Sequence, residues 1–156
     1  MLRSIIGFVI AWLGAVLGAY ALASVLATQI ILEKLQDMGV PVTLRDRLAA
    51  TSHDLVCLAP TYLPLLLVSF LLAMPVAAWL ANRFPLASAE LFALGGFVAV
   101  IALHLILKQA LGLNGIAAVR ELNGLFLQGF AGALGGYLFF VFSGRAHRSA
   151  AGATES

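Results

Sequence analysis

The chain has 156 residues, of which 62% are hydrophobic and only 10% charged, with a formal net charge of +2. Soluble domains carry roughly 25% charged residues, and a chain this small cannot hide so much apolar surface inside itself. Lipid must therefore solvate much of it, and the scattered cations form neither a basic stripe for nucleic acid nor a polybasic cluster for anionic lipid.

After Arg3 no charge appears until Glu33. A bilayer core of about 30 Å needs only about 20 helical residues, so a first span is expected over 4–30. Its opening, "MLR", an apolar core and then "ALA" at 21–23, resembles a signal peptide. The core is far longer than the roughly 7–15 residues of a cleaved signal, which points to a retained anchor. Ala11, Ala15, Ala19, Ala23 and Ala27 recur at every fourth position through it, beside Gly14 and Gly18. Small residues at this spacing let helix backbones approach closely, and dispersion contacts there replace the hydrophobic drive that lipid removes.

The next stretch, "TLRDRLAATSHDLVCLAP" from Thr43 to Pro60, gathers two arginines, two aspartates, a histidine and the only cysteine. Thr43 followed by Asp46 forms a capping-box pattern. At about 100° per residue, Leu44, Leu48, Thr51, Leu55 and Leu58 share one sector, while Asp46, Ala50, His53 and Cys57 lie roughly opposite. The pattern predicts an amphipathic helix over 44–59 that lies flat at the membrane surface or caps the bundle. His53 and Cys57, four apart with Asp54 adjacent, also suit paired metal ligands or a base beside a thiol. A metal site needs three or four ligands, however, and Asp54 points about 100° away. The solvated-face reading is preferred, with no metal and no cofactor expected. A single cysteine also rules out an intramolecular disulfide or a CxxC redox pair.

A second span is expected over 62–82, with Pro60 and Pro64 at its entry and a kink at Met74-Pro75. Trp79, Asn82 and Arg83 supply an interfacial aromatic and polar anchors at its exit. "RFP" at 83–85 makes a short turn, and Ser88 is a candidate cap for a third span over 89–109. Glu90 and Lys108 bound that span and are expected to snorkel to headgroup level. His104, one turn before Lys108, is a polar group at membrane depth. "GLNG" at 112–115 breaks the helix. A fourth span is expected over 122–143, with Gly124, Gln128, Gly132 and Gly136 again at every fourth position. Gln128 there reads as interhelical hydrogen-bond glue. The segment 145–156 reads as a flexible polar tail.

Together these features describe an all-α polytopic membrane protein: a single domain over 1–144, a four-transmembrane-helix bundle with an amphipathic interfacial helix between spans one and two. Both termini lie on one side. Arg3, Arg83, Arg145 and Arg148 fall on that side, and Lys34, Arg45, Arg47, Lys108 and Arg120 on the other. Because the first helix and short segments dominate orientation, the expectation is a bacterial cytoplasmic (inner) membrane protein with both termini cytoplasmic.

No charge falls mid-span, which argues against proton-coupled transport, and no nucleotide, zinc-protease or nucleophile-elbow motif is present. The expected role is a non-enzymatic scaffold, accessory subunit or homo-oligomer, with the lipid bilayer, and a larger membrane complex or second copy, as partners. One alternative is a transporter or channel for a lipid or small hydrophobic molecule, with a polar path past Pro75, His104 and Gln128. Another is a membrane enzyme or metal sensor built on His53, Asp54 and Cys57, joined by Arg120 or Glu121. The alanine row, with Gly132 and Gly136, is expected to pack spans one and four together. Small residues facing lipid would favour a partner, and small residues buried within the monomer would remove that argument.

Overall fold

The computed structural model describes residues 2–111 and 122–152 of the chain. Five α-helices make up these residues: α1 (Leu2–Asp37), α2 (Leu44–Cys57), α3 (Ala59–Arg83), α4 (Ser88–Leu111) and α5 (Leu122–Gly152). Four stretches, Ile6–Asp37, Ala59–Arg83, Pro85–Ala110 and Leu122–Gly144, are long and apolar enough to cross a membrane. The expected all-α four-span bundle is the observed one. "GLNG", Arg120 and Glu121 lie outside the described residues, as do the last four of the expected tail. The earlier part of that tail continues α5 to Gly152.

At about 1.5 Å per residue, α1 with its 36 residues exceeds the ~30 Å of a bilayer core. The chain reverses after it because Gly39 adopts φ +82°, a left-handed conformation that only glycine takes without steric cost. The Val40 amide donates to the Leu35 carbonyl at 3.0 Å and the Gly39 amide to Gln36 at 2.9 Å, closing a Schellman motif. Thr43 then starts α2 through a complete capping box. Its hydroxyl accepts from the Asp46 amide, and the Asp46 carboxylate accepts from the Thr43 amide.

Of the two arrangements open to α2, the structure takes docking on the bundle. Leu55 and Leu58 pack against the core, and the Tyr20 hydroxyl donates to the Leu55 carbonyl at 2.9 Å. Leu44 and Leu48, from the same predicted sector, stay 73% and 65% exposed. Thr51, also of that sector, accepts from Gln29 of α1, so the sector faces the bundle over its later turns and leaves its first two leucines outside the packing.

Leu58 ends α2 and caps α3, with Pro60 in the first turn, where its missing N–H leaves no bond unmade. The helix runs through Pro64 and Pro75. Ser88 does not act as an N-cap: it is the first residue of α4 and donates its hydroxyl to the Pro85 carbonyl at 2.7 Å, closing the short turn Pro85–Ala87.

The bundle is arranged around α5, which packs closely on α1 and on α4, while α3 lies along α4 and touches α1 more lightly. Ala11, Ala15, Ala19, Ala23 and Ala27 are all at most 3% exposed. Two faces of α5 are small. Gly135 lies against Ala15, Ala19 and Phe70, where a Cβ would meet all three within 3.0 Å. Gly132 and Gly136 face α4 instead, where added Cβ atoms would strike the carbonyl oxygens of Gly96 and Phe92. The every-fourth glycines of α5 therefore close the α4 seam, and the neighbouring register closes the α1 seam.

Candidate functional site

Three polar arrangements and one apolar groove are the candidates. The first is a seam between the projecting part of α1 and α2. The Thr28 hydroxyl donates to Asp54 Oδ2 at 2.7 Å, and Gln29 Nε2 donates to Thr51 Oγ1 at 3.1 Å. Arg47 reaches across to Gln29 Oε1 at 2.5 Å and Gln36 Oε1 at 2.6 Å. Thr28 is 2% exposed, so its bond to a carboxylate is charge-assisted and partly shielded from water. This seam fixes α2 on α1. Its residues are one polar group per turn on otherwise apolar or mixed stretches, and pairing across 26 positions leaves no trace in sequence spacing.

The second arrangement is an interior layer near the same end of the bundle. Gln128 is 0% exposed; its Nε2 donates to the Ala23 carbonyl at 2.9 Å and its Oε1 accepts from the Tyr62 hydroxyl at 3.3 Å. His104 is 4% exposed and sits beside Tyr62, with ring centroids 5.7 Å apart. Its Nδ1 lies 2.8 Å from the Val100 carbonyl, so Nδ1 carries a proton and, in the neutral ring, Nε2 is a bare acceptor. That Nε2 and Ser24 Oγ are buried without a protein partner. The layer joins α1, α3, α4 and α5. Below it the core is apolar, with Val16, Phe70, Met74, Val100, Ala131 and Phe139 buried. Among the described residues the hydrogen-bonded polar groups of the interior form this one layer and no file across the bundle, and Trp12 Nε1 is buried apart from it without a partner.

The third is the row on α2 that the sequence singles out. Cys57 Sγ lies 3.4 Å from His53 Nε2, and His53 Nδ1 lies 3.6 Å from Asp54 Oδ1. The three are brought together in the order of a thiol, a base and an orienting carboxylate. Two features work against nucleophilic or metal chemistry. The His53 side chain is 72% exposed and Cys57 is exposed, so the row has no walls to hold a substrate or exclude water. Among the described residues no three His, Cys, Asp or Glu side chains are placed to hold a metal.

The groove lies between α3 and α4 and has a volume of about 620 Å³. Leucine, valine and alanine line it, with Gly95 on its floor; its one polar side chain is Ser69. That hydroxyl donates back to the Leu65 carbonyl at 2.9 Å, so it has no proton left for an occupant and offers only acceptor lone pairs. The groove is missed by sequence reasoning because it depends on how far apart two helices stand.

The chain matches no protein-family model, no curated protein and no solved structure. Its function must be read from the groove and the polar layer themselves.

Proposed function

We propose that this small integral membrane protein is non-enzymatic and binds a lipid or similar hydrophobic molecule along the outer side of α3 and α4. The apolar groove of about 620 Å³ carries this reading. Ligand sites are concave and mostly apolar, in the range of roughly 300–1,000 Å³, and this one opens between two helices that face lipid. The alanine row that recommended a scaffold or homo-oligomer is spent inside the monomer, so it offers a partner helix no face. A transporter or channel finds no support in the single polar layer.

We also propose, from the cations on the first helix end and the short α3–α4 turn (Arg3 and Arg83), a bacterial cytoplasmic membrane with both termini inside. The α3–α4 turn is then cytoplasmic and α2 external.

A phospholipid with a diazirine in its acyl chain tests the proposal. After illumination in nanodiscs, peptide mapping should find adducts concentrated on Val68–Val76 and Leu94–Ala102. Adducts spread evenly over the outer faces of α1 and α5, at Leu13, Leu17 and Phe130, would overturn it.

A further inference from the structure

We infer that the occupant of the α3–α4 groove is a phosphate-headed lipid whose headgroup is held by Arg83. The identity of the head rests on the reading of the groove as a lipid site, and adds to it the chemistry at one mouth.

The two ends of the groove differ. It runs from Leu65 to Leu80 on α3 and from Ile106 back to Leu91 on α4, a length of about 22 Å at ~1.5 Å per residue. That is more than half the ~30 Å core of a bilayer, long enough for a lipid chain and short of both surfaces. At the Leu80 end, Arg83 follows Val76 and Leu80 on the same helical face, one turn beyond the last lining residue on α3. It is exposed and is not paired with Glu90, the acid in the first turn of α4. Side chains on a helix lean toward its N-terminus, so an arginine in this last turn leans back over the groove mouth, its stem along apolar surface and its head at the interface. Trp79, Phe84 and Leu86, at 67%, 59% and 103% exposure, mark this level as the headgroup zone.

Among the described residues, no cation on α3 or α4 leans over the opposite end. Lys108 falls about 160° round α4 from the groove-lining Ile106, on the side away from the groove. A cation at one mouth of a long apolar groove suits an amphiphile with one anionic head. A partner helix would run past both ends. The guanidinium fork matches phosphate oxygens in a bidentate fashion, which selects a phosphate-headed lipid over a neutral one of the same chain length.

Native mass spectrometry of the purified full-length protein tests this with dioleoyl phosphatidylglycerol and dioleoylglycerol, which share their chains and differ in the phosphate head. The wild type should retain the phosphate lipid at least about fivefold better, the size of one charge-assisted contact at an interface. Arg83→Gln should bring the two guests level, while Val98→Trp, which fills the groove from a lipid-facing position, should lose both. Both changes lie on exposed positions, and an unchanged thermal midpoint confirms folding. If Val98→Trp retains both guests as the wild type does, the groove is not the site and both readings fall. If Val98→Trp loses them but Arg83→Gln keeps the phosphate preference, the groove stands and Arg83 as the headgroup anchor is refuted. A polyprenyl phosphate that displaces phosphatidylglycerol in an Arg83-dependent way supports the phosphate site and names its source as the longer chain; displacement independent of Arg83 counts against it.

Discussion

The two faces of α4 meet their neighbours in opposite ways. Toward α5, Gly96 lies against Gly132 and Gly136 so closely that a Cβ on any of the three would strike backbone. Toward α3, Gly95 stands against the side chains of Ala77 and Met74, and leucines and valines hold the rest of the helices apart, leaving the groove. One residue of difference along the chain separates a closed seam from an open one. A glycine lets two helices touch only where the facing helix is also small; in lipid, no hydrophobic force closes the gap otherwise.

The largest effect expected from this contrast is at Gly136. Gly136→Ala places a methyl on the Phe92 carbonyl, and overpacking of this kind costs about 1–3 kcal/mol, more than the ~1 kcal/mol gained in helix propensity. Its midpoint in thermal unfolding should fall by several degrees, and a midpoint unchanged from wild type would mean that the seam has slack.

Next in size is the interior layer. Gln128→Leu leaves the Ala23 carbonyl and the Tyr62 hydroxyl without their partner, a loss of about 1–2 kcal/mol on the scale of interhelical hydrogen bonds in membranes. Chemical unfolding in mixed micelles measures it. Tyr62→Phe should recover part of that loss in the double variant, since it removes the orphaned hydroxyl, while the Ala23 carbonyl keeps its helical bond.

Smaller and more local is the α1–α2 seam. Thr28→Val removes the 2.7 Å bond to Asp54 at a cost of about 1 kcal/mol. Amide exchange should rise across 44–57 and stay unchanged in α4 and α5. A rise throughout the bundle would show α2 to be part of its cooperative core.

The smallest effect is at the start of α2. The Thr43 side chain, and then its backbone amide, hold the Asp46 carboxyl below its ordinary value of 3.8. A depressed folded pKa contributes stability that is present above the unfolded value and lost as pH falls through the folded one. Exchange protection of the first turn of α2 should therefore drop only below pH 3.8. Thr43→Ala should weaken that dependence, and a dependence unaltered by it would exclude the capping box as its source.

These regions also differ in how much of them could be read from the sequence. Charge-free runs mark the four spans because an ionised group in lipid is costly, and Thr43 with Asp46 marks the start of α2 because capping is local. The alanine row of α1 is legible for the same reason: all five residues belong to one helix. What Gly132 and Gly136 face is not legible, since Gly95 and Gly96 are adjacent and either could have opposed them. The Thr28–Asp54 bond and the groove each depend on two helices at once. Among the candidate residues, Gln128 and His104 stand out as polar groups in apolar runs. Arg83 reads only as an interfacial anchor until the groove beside it is known.

The measurement that bears most directly on the contrast between closed and open seams compares Gly95→Ala with Gly96→Ala in thermal unfolding. A Cβ at position 95 meets the Ala77 Cβ at 3.1 Å, which the lightly held α3 can accommodate, whereas at 96 it meets the backbone of Gly132. Gly95→Ala should stay within about 1 kcal/mol of wild type, near the gain from helix propensity, while Gly96→Ala should show a net loss of about 1–2 kcal/mol, close to that of Gly136→Ala. Equal losses at the two positions would contradict the account, because they would mean that α3 grips α4 as tightly as α5 does.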